Sequence, residues 1–221
     1  MKMLVLAVLS LLVLSVAPGP CHAELIVKKI VYEAGSPDRD VVIEYPELDG
    51  LADSLLQGSI NGLMPRVAGK DTLEQDFADG LMHLSVYYQA FIEYNVFSVF
   101  FIREDYYEGA AHPNDAIITF NVDLGDGKQL TLADLFKPGF EEPLGRIVQA
   151  RIKALDWCPG TDFEFPGVAP DQEFYLTKEE LHIGYQKYTI GPGACGSADI
   201  SVPLADVRGL ISDQGPLAEL R

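Results

Sequence analysis

The sequence predicts an α+β fold of mainly antiparallel sheets with helices packed on one face, arranged as two intimately joined subdomains. Three observations carry this. Segments 25–32, 40–45, 83–93, 96–103 and 115–124 are rich in β-branched and aromatic residues and are separated by turn signals. Segments 48–63 and 144–155 space their apolar residues at helical intervals. Asp126-Gly127 is a strong hairpin signal, because such a turn needs positive φ at its centre. The expected organisation is a signal peptide over 1–23, an N-terminal subdomain over 24–95, a second domain over 96–212 and a frayed tail over 213–221.

The first element is the leader. Met1-Lys2-Met3 precedes an apolar run from Leu4 to Val16, and small residues lead to a cleavage site after Ala23. The run is too short to span a bilayer stably. Lipidation at Cys21 is the rival reading, ranked second because Pro20 fits such a site poorly. Export to the periplasm or the exterior follows. Lys28 and Lys29 then sit in a first strand, 25–32, which pairs antiparallel with 40–45 across the Gly35-Ser36-Pro37-Asp38 loop, and Pro46 is expected to end the second strand. Leu48, Ala52, Leu55, Leu56 and Leu63 form one helical stripe, with Ser54, Gln57 and Asn61 on the other side.

Residues 66–80 read as a connecting loop or short helix. Strands 83–93 and 96–103 follow, joined at Tyr94-Asn95; the second, apolar on both faces, is placed centrally in its sheet. In 115–124, Ala116, Ile118, Phe120, Val122 and Leu124 share one face, which predicts a single buried side. Thr131 to Asp134 is a capping pattern opening a short helix. A helix over 144–155, a Pro/Gly-rich loop over 157–171, a hairpin of 173–176 with 181–185, a strand over 198–202 and a helix over 203–211 complete the chain.

Composition bounds the function. A chain of this length buries roughly 70% of its unfolded surface, enough for one core or two modest ones. The formal charge of -17 argues against nucleic acid and anionic membranes as partners and favours a cationic one, although acidity also simply keeps exported proteins apart. Cys158 and Cys195 remain after the leader is removed, an even number in an oxidising compartment. A bridge between them would add about 3 kcal/mol through the unfolded state. Metal binding by the two is disfavoured, since no further ligand lies nearby in sequence, and no cofactor is expected.

Tyr106 to Asp115 is the one dense cluster of usable groups. Glu108, His112 and Asp115 offer an acid, a base and an orienting carboxylate. The competing and stronger reading is a tight inter-strand turn, which needs these residue types anyway. His83 and His182 read as surface or satisfied core histidines. A calcium loop near Asp126 fails on its glycine offset and its missing glutamate, and Gly191 to Gly196 lacks the ending of a phosphate cradle. The G-x-S-x-G, H-E-x-x-H and C-x-x-C patterns are absent from the sequence.

One family resemblance extends over nearly all of the chain after the leader. Tyr107-Glu108-Gly109-Ala110-Ala111-His112-Pro113, then Phe120 to Leu124, Gly127-Lys128, Leu130-Thr131-Leu132 and Asp134-Leu135-Phe136, resemble the extracytoplasmic C-terminal half of RsiV-type anti-sigma factors, formerly a domain of unknown function. The ending Phe174 to Thr177, Tyr188, Ile190-Gly191-Pro192 and Ile200 to Pro203 is similar to it too. Val42 to Pro46, Ile60-Asn61 and Ser98 resemble the smaller domain that precedes it, found also in PdaC-type deacetylases outside their catalytic part. The resemblance implies an α+β fold and a binding or sensing task at the bacterial envelope, and in RsiV-type proteins this region binds lysozyme. The chain departs from the pattern in having no transmembrane segment or cytoplasmic sigma-binding part, in Ala110 where a second glycine is usual, and in Cys158 and Cys195.

Three expectations follow. The first is a non-enzymatic binding module for a cell-wall glycan or a cationic protein such as lysozyme, with Tyr106, Tyr107, Glu108, His112 and Asn114 on the recognition surface. The second is a wall-directed hydrolase or deacetylase using Glu108, His112 and Asp115. The third is a purely structural envelope protein.

Overall fold

Two β-sheets, each backed by helices, are built from eight strands in the computed structural model, which describes residues 25–36, 38–161 and 164–221. The leader, its cleavage site and Cys21 lie outside the described residues. The first sheet runs β1 (Ile26–Ser36), β2 (Arg39–Asp49), β3 (Leu81–Glu93), β4 (Val96–Tyr107) and β5 (Asn114–Asp123), in that spatial order. Tyr94 and Asn95 both take positive φ, 55° and 59°, as a two-residue hairpin turn requires, so β3 and β4 pair along almost their whole length. The expected boundary between 95 and 96 therefore falls at a turn inside one sheet.

Among the described strands only β2 and β3 pair in parallel, through residues 40–43 and 83–86. Parallel strands need a crossover, which α1 (Ser54–Val67) and α2 (Leu73–Ala78) supply. This short pairing also explains Pro46. It was expected to stop the strand, yet β2 runs on to Asp49 with Pro46 opposite Lys29. Beyond Ile43 nothing among the described strands pairs with β2 on its β3 side, so a proline without an N–H costs that side no hydrogen bond.

The helical stripe is shifted from its expected phase. Asp53 caps α1, its Oδ1 accepting from Leu55 N and Leu56 N, and this start turns Ile60 and Met64 inward while Leu55 is 83% exposed. Asn61, expected on the solvent side, instead faces β2 and brackets Leu48, accepting from its N–H at 2.8 Å and donating to its carbonyl at 2.9 Å. Val41, Ile43, Leu84, Val86, Phe97, Val99, Phe101 and Phe120 pack with Ile60, Met64 and Leu73 as the first core. Each such buried side chain contributes about 1.5–3 kcal/mol.

The second sheet is β6 (Phe174–Leu176), β7 (Glu180–Tyr185) and β8 (Ala198–Pro203), all antiparallel. Its alternate residues Phe174, Leu176, Leu181, Ile183, Ile200 and Val202 meet Leu144 and Val148 of α3 (Glu141–Ala154) in the second core. The Thr131–Asp134 capping box forms as expected, around a single 3-10 turn. The terminal helix is α4 (Leu204–Val207), continued as a 3-10 turn. The tail expected to fray places Leu217 in the second core at 1% exposure.

One face of β5 was expected to be buried; both are. Phe120 and Val122 join the first core, while Ile117 and Asn121 are covered by the second sheet. The far face of the first sheet is thus half roofed by β6, and a cleft opens where the roof ends.

Candidate functional site

The cleft begins with Tyr175. Being the middle residue of β6, it turns away from the second core, whereas Phe174 and Leu176 turn into it. Its ring lies 4.8 Å from that of Phe100 on β4 and 5.7 Å from that of Phe91 on β3, and His182 of β7 stacks on it at 4.2 Å. The Tyr175 hydroxyl donates to Asp199 Oδ2 at 2.7 Å, and His182 Nδ1 lies 3.0 Å from Asp199 Oδ1. Burial first, and then the Asp199 carboxylate, push the Tyr175 phenol far above its ordinary value, so it stays a neutral donor. His182 Nε2 faces Glu180 at 3.6 Å.

Beside this stack lies an open cavity of about 250 Å³ lined by Phe100, Ile102, Glu104, Asp115, Ile117 and Asp199. Its floor is apolar and its rim acidic. Ile102 and the neighbouring Tyr87, paired across β3 and β4, are exposed. Glu104 is exposed and has no ion-pair partner among the described residues. Asp115 is different, because Lys187 Nζ lies 3.2 Å from its Oδ1 and Ser197 N donates to its Oδ2 at 2.6 Å. Burial would raise its pKa, but the hydrogen bonds from Ser197 and Lys187 outweigh that and hold the carboxyl below the ordinary value.

The predicted turn does project outward, with residues 108–114 all exposed, but its side chains go to different places. Tyr107 leans toward α2, its hydroxyl donating to Asp76 Oδ1 at 3.3 Å. Tyr106 is half-buried opposite His83. Glu108 sits beside Gly80, whose carbonyl accepts from the Glu108 N–H at 2.8 Å. His112 lies over the 187–197 loop, with Nδ1 2.9 Å from the Pro113 carbonyl and Nε2 3.4 Å from the Tyr188 hydroxyl. Asn114 pairs with Asp105 at the start of β5. Among the described residues no hydrogen bond or ion pair joins Glu108, His112 and Asp115. The turn contributes to the cleft through Asp115, which forms part of the rim.

A second segment holds that lip in place. Lys187 Nζ also reaches the Pro113 carbonyl at 3.2 Å, and the loop carrying Lys187, Tyr188 and Ser197 is fastened by the Cys158–Cys195 disulfide, Cα atoms 5.8 Å apart. Trp157 covers Gly191, where a Cβ would come within 2.7 Å of the indole ring, so only glycine fits. Next to the disulfide is a cavity of about 320 Å³, with Gln149, Ile152, Lys153, Trp157, Phe165 and Ile190 among its walls.

Sequence reasoning missed Glu104, Tyr175, His182, Lys187 and Asp199 as site residues. The signal available was alternation. In β7 and β8, Glu180, His182, Asp199 and Ser201 form the polar face of an otherwise apolar pair of strands. Nothing in the sequence shows that this face looks across at β4. Among the described residues no group of three or more His, Cys, Asp or Glu side chains is placed to hold a metal, and no helix is long and apolar enough to cross a membrane.

Comparison with known proteins bears on the fold and on the second half of the chain. No curated protein matches it. A solved structure of a DUF3298 family member from Bacteroides fragilis is 17% identical with a TM-score of 0.67, over 90% of this chain and 97% of that one. A DUF3298 family protein from Pseudomonas aeruginosa is 18% identical with a TM-score of 0.52, over 86% and 94%. At such identities the likeness is one of fold. The family model described as "Protein of unknown function (DUF3298)" matches residues 133–205, the stretch that carries α3, the second sheet and the disulfide. Residues 133–205 thus form a DUF3298 family domain.

Proposed function

We propose that this chain is a non-enzymatic binding module exported to the bacterial envelope, and that the cleft between its sheets takes a cationic polypeptide segment. One observation carries the reading: an apolar floor of Phe100, Ile102 and Ile117 lies directly beside the carboxylates of Glu104 and Asp199. A lysine or arginine side chain is apolar along its stem and charged at its head. Laid in this cleft, the stem covers Ile102 and Phe100 while the head meets Glu104. The formal charge of -17 attracts such a partner over a longer range. The disulfide and the leader support export. The similarity to the RsiV-type C-terminal domain, taken here over 96–212 with a PdaC-associated-like segment before it, makes lysozyme the first partner to try.

The test measures affinity for lysozyme and for soluble peptidoglycan fragments at low and high salt, with the wild-type protein and with Glu104→Lys and Ile102→Glu. The expected result is lysozyme binding that weakens with salt, falls about tenfold in Glu104→Lys and falls further in Ile102→Glu. Salt-insensitive binding of the glycan, unchanged by Glu104→Lys, would replace the cationic partner with a wall polysaccharide. Binding to neither would remove the reading.

A further inference from the structure

The two edges of the first sheet are finished differently. At β5 the edge is closed by side chains and loop backbone. Gln186 meets Ile117 twice, donating to its carbonyl at 2.6 Å and accepting from its N–H at 3.1 Å. Glu173 accepts from Thr119 N at 2.8 Å, and the 128–130 segment adds the bonds from Asp123 N to Lys128 O and from Leu130 N to Asn121 O. At β1, eleven residues pair with β2 on one side, and among the described residues no strand pairs with the other. An open edge of that length is a template for another strand unless something blunts it.

The usual blunting devices are missing or spent. No proline lies within Ile26–Ser36. Lys28 and Lys29 are drawn back onto β2, Lys28 Nζ lying 2.6 Å from Asp49 and Lys29 Nζ 2.5 Å from Glu44. Val31 remains 48% exposed on the same face as Lys29 and Glu33, while Tyr32 and Ala34 of the other face are half-buried against the first core.

The strand is also complementary to itself. We infer that β1 is a homodimerisation edge, two copies pairing β1 with β1 antiparallel about a two-fold axis through Val31, so that Lys29 of each lies opposite Glu33 of the other. Val31 is the centre of the strand, so this register pairs all of it, Ile26 with Ser36 and Ile30 with Tyr32 included. Shifting by one residue would set helix-side residues against outer-face ones. Moving the axis to Lys29 or to Glu33 puts like charges face to face, and moving it to Ile30 or Tyr32 leaves both charges opposite uncharged residues. Only one register gives full overlap and opposite charges together, with Lys29 then lying between Glu44 of its own chain and the second copy's Glu33. Such an interface is isologous and closes at two copies. It is separate from the cleft and does not depend on the reading of it.

Sedimentation velocity over a wide concentration range tests this, with circular dichroism as the check on folding. The wild-type protein is expected to be a reversible dimer. Glu33→Lys, which sets lysine against lysine twice, raises the dissociation constant about tenfold or more, and the swap Lys29→Glu/Glu33→Lys brings it back toward the wild type. Val31→Cys forms a disulfide-linked dimer on oxidation, whereas Tyr87→Cys, exposed elsewhere on the same sheet, does not. A protein that stays monomeric at every concentration, a dimer indifferent to Glu33→Lys, or an edge taken instead by a strand of another protein would each overturn the inference.

Discussion

Ser98 and Asn121 are nearly fully buried polar side chains, and they sit where the two sheets meet. Ser98 Oγ donates to Asn121 Oδ1 at 2.6 Å and accepts from Leu176 N at 3.2 Å, while Asn121 Nδ2 donates to the Phe174 carbonyl at 2.7 Å. These bonds stand in for a strand pairing between β4, β5 and β6, and they fix how far β6 roofs the first sheet. Removing one partner leaves the others buried and unpaired, which costs more than the bond itself contributed. Ser98→Ala is therefore expected to lose about 1–2 kcal/mol, and Asn121→Ala about 2–3 kcal/mol. The double variant should lose less than the sum, because the two share one network. Urea unfolding of the four proteins checks this; losses that simply add would mean the residues act separately and do not form a joint.

At the scale of elements, the disulfide is a positioning device as well as a staple. It closes a loop of 37 residues, for which chain entropy alone gives about 3–4 kcal/mol. It also fastens the 187–197 loop, whose Lys187 and Ser197 hold Asp115 and whose Tyr188 stands beside His112. The variant Cys158→Ser/Cys195→Ser is expected to melt lower by a corresponding amount. Its amide exchange should speed up first in 108–116 and 187–197, ahead of β3 and β4. Uniform acceleration across the chain would show that the bridge stabilises without positioning. The strands, the bend at Tyr94-Asn95 and the capping box of Thr131 with Asp134 were legible in the sequence because each is written in local chemistry, whereas at Asp126-Gly127 only Gly127 takes positive φ and a single bridge, Val122 with Gln129, follows. What was not legible depends on a neighbour distant in sequence. Pro46 is tolerated because β3 leaves β2 after residue 43, α1 is rotated because Asp53 fixes its start, and the cleft is made where Tyr175 and Asp199 of the second sheet come against Phe100 and Ile117 of the first. The turn at 108–114 was found as a projecting element. Its partners Lys187 and Tyr188 were not, because some seventy-five residues separate them from it.

At the scale of the whole molecule the described residues form two large cores, and the question is whether they unfold as one. The first gathers side chains from residues 41 to 124, the second those from 130 to 217 together with Val96 of β4. Val96 and Tyr94 reach from the first sheet into the second core, and the Tyr94 hydroxyl donates to the Lys178 carbonyl at 2.5 Å. Phe100, Ile117 and Tyr175 form a small third cluster that belongs to both sheets. If the second unit came away, Phe100 and Ile117 would be exposed and the Ser98–Asn121 pair left half-satisfied, so the first unit would lose apolar burial and hydrogen bonds at once. That penalty couples the two. The single tryptophan, Trp157, packs against the second core, so its fluorescence reports that unit, whereas far-ultraviolet circular dichroism is weighted toward the larger first sheet. The two signals are expected to trace one urea transition with a shared midpoint. A fluorescence transition that runs ahead of the dichroism would show instead that the second unit unfolds on its own, and that the cleft between the sheets is a separable interface.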